Sequence, residues 1–269
     1  MKKKKKILIL LLFVCIVFLI AGFWNVLEVN TYVIEDPNFP KAAGEFCIVQ
    51  ISDFHCKKFG DKEEKLIDKV KECNPDVILF TGDMIDKDHT DISPVEELLA
   101  GLKGLCPMYE VNGNHDKDIE ENYQKLLKLY ETYGVVNLND NSVYLEKNGE
   151  EIYFQGIDYY TLLKYANPVP DIENYKILLY HNAMVFGNDT SRYGADLVFS
   201  GHTHGGIVRL PFIGGLVNGD LTFGAVYENG VYMENGSILV SSRGLGDSKF
   251  PRFYNNSSVV KVILKHKEE

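Results

Sequence analysis

An α/β fold behind one N-terminal transmembrane helix is the fold class that this sequence predicts. Three observations predict it: short β-rich runs alternate with amphipathic segments, helix-start signals precede those segments, and a lysine block followed by a long apolar run opens the chain. With 269 residues, 45% of them apolar and 25% charged, the chain sits near globular averages and can bury a substantial core.

The opening segment stands apart from that core. Lys2 to Lys6 form a cationic block, and Ile7 to Trp24 follow without a polar break. That run spans about 27 Å as a helix, close to the hydrocarbon thickness of a bilayer. Lysines before the span and none just after it favour a cytoplasmic N-terminus, an extracytoplasmic domain and a single-pass protein of the cell membrane. A cleaved signal peptide is the rival reading, but Ala21-Gly22-Phe23 lacks the A-x-A pattern and the run exceeds the usual apolar region. Leu19-Ile20-Ala21-Gly22 looks like a lipoprotein signal, yet Phe23 stands where the lipidated cysteine is needed. The expected division is residues 1–27 as lysine block and anchor, 28–41 as a linker with two prolines, and 42–269 as the folded domain.

Without residues 1–30, 23 basic residues face 37 acidic ones. So acidic a body repels polyanions, which disfavours nucleic acid as a partner. Cys15 lies in the span, and Cys47, Cys56, Cys73 and Cys106 show no metal-finger spacing, so all five are read as thiols.

Strands are expected at Phe46–Ile51, Val77–Phe80, Met108–Val111, Lys176–Tyr180 and Asp196–Ser200. Asp61-Lys-Glu-Glu64, Ser93-Pro-Val-Glu96 and Asp118-Ile-Glu-Glu121 fit the capping-box template, the second with proline at the first helical position. Leu66, Ile67 and Val70 then give an apolar face at helical spacing. In the second half, Asn148-Gly149, Asn229-Gly230 and Asn235-Gly236 are hairpin dipeptides between alternating runs such as Ser142–Glu146 and Glu151–Ile157, implying more antiparallel sheet there.

Each α/β strand ends in metal-capable residues. Phe46–Ile51 runs into Asp53-Phe54-His55, and Val77–Phe80 into Gly82-Asp83. Met108–Val111 leads to Gly113-Asn114-His115-Asp116, Lys176–Tyr180 to His181, and Asp196–Ser200 to Gly201-His202-Thr203-His204. Ligands of open α/β sheets bind at the carboxyl ends of the strands, so these five loops can converge on one site. Five of seven histidines lie in them, with His89 and His266 outside. One histidine after a strand is more often structural than a ligand; five in such places point to a metal centre. Carboxylate, imidazole and amide without thiolate suit Mn²⁺, Zn²⁺ or Fe better than copper or an iron–sulfur cluster. In an extended segment the Cys56 side chain points away from that of His55.

The ordered set D-x-H, G-D, G-N-H-D, a lone histidine and G-H-x-H resembles the calcineurin-like metallophosphoesterase superfamily over residues 46–264. His204-Gly205-Gly206, with Arg209-Leu210-Pro211 and Ser242-Arg243-Gly244-Leu245-Gly246, is similar to a branch of bacterial membrane-anchored phosphodiesterases, although Ile207 stands where that branch often has glutamine. The resemblance implies a four-layer sandwich, two mixed β-sheets face to face between helices. It implies two divalent metals, most readily Mn²⁺: Asp53, His55 and His204 on one, Asn114, His181 and His202 on the other, and Asp83 between them. Two cations about 3.5–4 Å apart repel strongly, which fits a shared carboxylate and a bridging hydroxide as nucleophile. His115 resembles the family's non-ligand histidine, a proton donor to the departing alkoxide or a stabiliser of charge, with Asp116 expected to hold its ring.

Arg209 and Arg243 are candidates to neutralise a phosphate oxygen, though an exposed arginine is the commoner case. Tyr153, Phe154, Tyr159, Tyr160 and Tyr165 either pack as ordinary core or line an apolar groove, and core packing is the favoured reading. The expected activity is hydrolysis of phosphodiesters or pyrophosphates, the substrate being a phosphate ester with a lipid or envelope phosphate among the candidates. Alternatives are a phosphomonoesterase, an exported nuclease, or a membrane-tethered metal-binding protein without turnover.

Overall fold

The computed structural model describes residues 2–161, 166–217, 223–224, 226–247 and 250–268. The chain begins with helix α1 (Lys2–Phe23) and continues through β1 (Leu27–Asp36), β2 (Phe46–Ile51), α2 (Glu64–Glu72), β3 (Val77–Phe80), α3 (Ser93–Leu102), β4 (Met108–Glu110), α4 (Glu120–Tyr133) and β5 (Val135–Asn137). Then follow β6 (Ser142–Lys147), β7 (Glu150–Gly156), β8 (Lys176–Asn182), β9 (Leu197–Gly201), β10 (Val208–Leu210), β11 (Gly214–Val217), β12 (Gly230–Glu234), β13 (Ser237–Ser241) and β14 (Ser257–His266).

Two six-stranded mixed sheets form, in the orders β1-β14-β2-β3-β4-β5 and β12-β13-β9-β8-β7-β6. Strands β2 to β5 run parallel, as do β7, β8, β9 and β13, while antiparallel pairing is found at β14/β2, β12/β13 and β6/β7. The parallel centres set the carboxyl ends of β2, β3 and β4 side by side, and likewise those of β8 and β9.

Side-chain alternation builds the layers. Phe46, Ile48, Val77 and Leu79 point into a core shared with Ile177, Leu179, Leu197 and Phe199 of the other sheet. Val49, Ile51, Ile78 and Phe80 point the other way, under Leu66, Val70, Leu98 and Leu126 of the helices. Burial of each such side chain contributes about 1.5–3 kcal/mol. On the outer face of the second sheet, Leu178, Tyr180 and Val198 pack with Ala183 and Phe186 beneath two 3-10 turns at 183–185 and 190–192. The expected architecture of two sheets between helices is therefore present.

Asn148-Gly149 and Asn235-Gly236 each make a tight hairpin, between β6 and β7 and between β12 and β13, with φ of 54° and 86° in the first and 52° and 79° in the second. Asn229-Gly230, expected as a third hairpin turn, instead leads into β12. None of the three capping boxes forms. Asp61 lies in a 3-10 turn ahead of α2, and Glu63 precedes that helix in a left-handed conformation with no side-chain cap. Ser93 is itself helical and donates its amide N–H to Asp91 Oδ1 at 3.0 Å. Asp118 turns to His115 rather than to α4. Ser93 and Asp118 are engaged instead by partners two and three residues away.

The largest departure concerns residues 28–41, expected as a linker. Leu27–Asp36 is a sheet strand, paired parallel with β14 over its whole length. Its alternating residues suit a sheet edge, and Pro37 and Pro40 fall just beyond it, where no ladder N–H is needed. Before it, the helix over Lys3–Phe23 is long and apolar enough to cross a membrane.

A chain beginning at residue 42 therefore loses β1 and bares the edge of β14, whereas one beginning at residue 25 keeps the complete sheet. The shorter chain should melt roughly 10 °C or more below the longer one, or aggregate. Equal melting temperatures in a thermal scan would contradict the structural role of β1.

Candidate metal centre

All five motif loops meet where the carboxyl ends of the two sheets face each other. Gln50, buried between the sheets, joins them beneath the site: its Nε2 donates to Thr81 Oγ1 at 2.8 Å and to the Ser200 carbonyl at 2.9 Å. The Asp53 carboxylate accepts the His202 N–H at 3.0 Å, and the Thr81 carbonyl lies 2.7 Å from His181 Nδ1.

Five candidate ligands hold left-handed backbone conformations: Asp53 (φ 50°), His55 (48°), Asp83 (54°), His202 (73°) and His204 (49°). Such φ values in residues with a Cβ cost of order 1–3 kcal/mol each and gather where function demands them. Gly82 is required for a related reason: a Cβ there would collide with the Gly113 backbone and the His181 ring.

Two groups of ligand atoms result. Asp53, His55, Asp83 and His204 offer atoms within 4.8 Å of one another and are all buried; Asp83, His181 and His202 form a second such group. Asp83 belongs to both. Its Oδ2 lies 3.8 Å from His55 Nε2 and 3.3 Å from His181 Nε2, and His204 Nε2 lies 3.6 Å from Asp53 Oδ1. Asn114 Oδ1 completes the second group, 3.1 Å from His181 Nε2 and 2.7 Å from His202 Nδ1. His55 Nε2 is buried without a hydrogen-bond partner although it faces this cluster. An orphaned imidazole nitrogen among carboxylates fits a cation between them.

The electrostatics agree. Burial disfavours charge on His181, yet Asp83 outweighs it and raises the imidazole to about 9. His55 is likewise raised against its burial by Asp86, Asp83 and Asp53. Burial costs the Asp83 carboxylate too, but the surrounding imidazoles, His181 foremost, hold it well below the usual range. His202 is pushed down to about 4 by burial and the His181 charge, and burial and His55 hold His204 well below the usual imidazole range. A proton on His181 thus balances charge that a cation would balance instead, and metal binding is expected to displace it.

His115 belongs to neither ligand group. Its ring lies 5.6 Å from that of His55, and its Nδ1 is 2.7 Å from Asp118 Oδ2. The expectation that Asp116 holds this ring is corrected. The Asp116 carboxylate is buried and accepts four backbone N–H groups, from Asp83, Met84, Ile85 and Gly113 at 2.7–3.2 Å, pinning the second and third motif loops together. A carboxylate so occupied has no oxygen left for the imidazole. Of the two candidate arginines, Arg209 donates to the Gly205 carbonyl and pairs with Glu228, and Arg243 pairs with Glu28 and donates to Asn30. Each guanidinium is thereby held in place, and Arg243 Nε is left without a hydrogen-bond partner.

Of the aromatic residues, Tyr153 and Phe154 are core, as expected. Tyr159 and Tyr160 border the site: the Tyr159 ring lies 5.8 Å from His181 and 6.1 Å from His202, and the Tyr160 hydroxyl donates to the Asn114 carbonyl at 2.8 Å. Tyr165 lies outside the described residues. The Cys56 thiol faces the Met84 carbonyl and joins neither ligand group.

Sequence reasoning missed Asp86, whose Oδ2 lies 2.9 Å from His55 Nδ1 and orients that ring. It also missed Arg252, buried beside His204 and donating to the carbonyls of Arg243 and Gly246. No strand-end pattern marks either residue. A cavity of about 480 Å³ opens beside His55, lined among others by Lys57, Lys58, His89 and Asp247.

A two-sheet α/β domain with a carboxylate–imidazole centre at its strand ends is the class that this geometry defines. The family model of the calcineurin-like phosphoesterases matches residues 47–206, and the chain belongs to that family. It is similar to the metallophosphoesterase YkuE of Bacillus subtilis, 29% identical across 90% of this chain and 86% of that protein. It is also similar to YkoQ of the same organism, a metallophosphoesterase 30% identical across 68% of this chain and 70% of that one. A zebrafish (Danio rerio) transmembrane protein with a metallophosphoesterase domain is 25% identical across 96% of this chain and 62% of its own length.

The two aspartates beside His115 should separate cleanly on substitution. Asp116→Ala leaves several buried amides unpaired, at about 1–3 kcal/mol each, so thermal denaturation should show a large loss of stability together with loss of bound metal. Asp118→Ala should leave melting temperature and metal content near those of the parent and lower turnover only. The reverse pattern would contradict the assignment.

Proposed function

We propose that the chain hydrolyses phosphodiester or pyrophosphate bonds with two divalent cations, Mn²⁺ foremost. Asp53, His55 and His204 would hold one, Asn114, His181 and His202 the other, and Asp83 would contact both. The observation that carries this reading is the membership of Asp83 in both ligand groups. Oxygen and nitrogen donors without a thiolate favour Mn²⁺, with Zn²⁺ or Fe as other fits. A bound cation pair supplies the charge that polarises a phosphoryl oxygen and acidifies a water for attack.

The chain's own residues do the rest. Asp86 and the Thr81 carbonyl fix the orientation of His55 and His181, so their donor atoms need not reorganise on binding. Asp116 keeps the second and third loops in register. His115, oriented at Nδ1 by Asp118, presents Nε2 to the departing oxygen and delivers its proton. The apolar helix suggests that the domain is carried at a membrane, with the lysine block in the cytoplasm and the domain outside. A protease added to intact spheroplasts should then digest the domain, and protection until lysis would contradict that topology.

The role of His115 separates from metal binding through the leaving group. His115→Ala should keep its metals by elemental analysis and slow alkyl phosphodiesters by roughly 10²–10⁴-fold. Bis-nitrophenyl phosphate, whose nitrophenolate departs with little protonation, should slow far less. Asn114→Ala should lose metal and slow both substrates alike. Metal loss in His115→Ala, or equal slowing of both substrates by it, would overturn this assignment, and a parent that cleaves aryl monoesters faster than diesters would overturn the diester reading.

A further inference from the structure

The end of α1 does not leave the domain; it lies against it. Phe18 packs on Phe253 and Tyr254 with ring centroids 5.8 and 5.0 Å apart, Phe23 packs on Phe253 at 5.0 Å, and buried Gly22 lies against the Phe253 ring. Two hydrogen bonds seal the contact, since the Tyr254 N–H donates to the Gly22 carbonyl at 2.6 Å and the Tyr254 hydroxyl to the Phe18 carbonyl at 3.0 Å. Just past the helix, Asn25 accepts the Ser257 N–H at 2.9 Å, and Glu28 accepts from Asn256 and pairs with Arg243.

This contact has a depth. Phe18 lies six residues before Trp24, about 9 Å further along a helix axis. An apolar run of about 27 Å has no length to spare against a hydrocarbon core of about 30 Å. If α1 spans the bilayer, Phe18 lies at apolar depth, and the rings of Phe253 and Tyr254 lie there with it.

Among the described residues, the rim beside those rings carries exposed apolar side chains. Phe253 pairs through its backbone with the segment entering β10, donating to the Ile207 carbonyl at 3.1 Å and accepting the Arg209 N–H at 2.9 Å. The β10–β11 turn beyond carries Phe212 and Ile213, 109% and 68% exposed, and Phe223, bridged to β11 at Val217, is 86% exposed. Scattered exposed hydrophobics need no explanation; three bulky ones beside the end of a spanning helix do.

The same rim touches the metal centre. Asn255 Nδ2 donates to the His204 carbonyl at 2.6 Å, buried Arg252 lies against His204, and the His202–His204 loop runs directly into β10. One short stretch of chain therefore joins the membrane-facing rings to a candidate ligand.

We propose that the Phe212–Ile213 turn, with Phe223, Phe253 and Tyr254, seats in the surface of the bilayer that holds α1, and that the site acts on phosphate esters of amphiphiles whose apolar tails stay in that bilayer. The substrate part rests on the phosphoesterase reading above; the seating does not. Rigid docking of α1 holds the metal centre at a fixed height over the headgroups, so the substrate arrives by lateral diffusion.

The test uses the full chain in phosphatidylcholine–phosphatidylglycerol vesicles brominated on the acyl chains near the headgroup. The chain has a single tryptophan, so a Trp24→Phe background carries Phe212→Trp in one sample and Val136→Trp in another. Val136 is exposed on β5, at the sheet edge opposite β1. Quenching of the first and not the second is expected; no quenching at 212, or equal quenching at both, overturns the seating. In a second arm, Phe212→Asp with Ile213→Asp should keep hydrolysis of bis-nitrophenyl phosphate within about twofold. It should slow a long-chain lipid phosphodiester in vesicles about tenfold or more and spare its short-chain soluble analogue. Equal effects on the two analogues overturn the substrate class. A parent that cleaves no phosphate ester at all overturns the phosphoesterase reading and leaves the quenching result standing by itself.

Discussion

A carboxylate removed from water must be neutralised from close range, and Asp83 is such a carboxylate. It is buried at the meeting point of two sheets, with imidazoles of His55 and His181 on either side and the His115 N–H donated to its Oδ1 at 2.7 Å. The surrounding architecture serves this placement. Parallel strands in both sheets bring their carboxyl ends together, Gln50 ties those ends across the core, and Asp116 fixes the loop from which Asp83 projects. Left-handed backbone at five candidate ligands is the strain that the arrangement stores, and the apolar layers around it are large enough to bear that strain.

Much of this was legible in the sequence because the signals were local and repeated. Strands buried on both faces read as unbroken apolar runs, as in Val77–Phe80, and each was followed by ligand-type residues, so the position of the site followed from the ends of the strands. The features that escaped are non-local. Strand β1 depends on β14, more than two hundred residues away, and its half-exposed alternation resembles linker sequence when that partner is unseen. Asp116 and Asp118 flank the same turn, and only geometry decides that the first binds backbone amides while the second binds the imidazole. Asp86 and Arg252 act on His55 and His204 through space, and in two of the capping boxes neighbouring residues, Asp91 and His115, engage Ser93 and Asp118 instead.

Helix α1 and the two-sheet domain share a continuous interface rather than a tether. β1 begins four residues after α1 ends, and Glu28 on that strand already pairs with Arg243 from the loop after β13. A short, hydrogen-bonded connection leaves little freedom for the domain to reorient relative to α1. The fold itself therefore sets how the domain lies against α1, and under the bilayer seating proposed above the exposed rim is the part that governs substrate access.

Electron paramagnetic resonance of the Mn²⁺-loaded protein tests the central claim most directly, because a carboxylate shared by two cations couples their spins. The account predicts uptake of two Mn²⁺ per chain and a spectrum dominated by an exchange-coupled pair, which collapses to isolated ions in Asp83→Asn. A parent spectrum of isolated Mn²⁺ at every loading, saturating at one ion per chain, would contradict it.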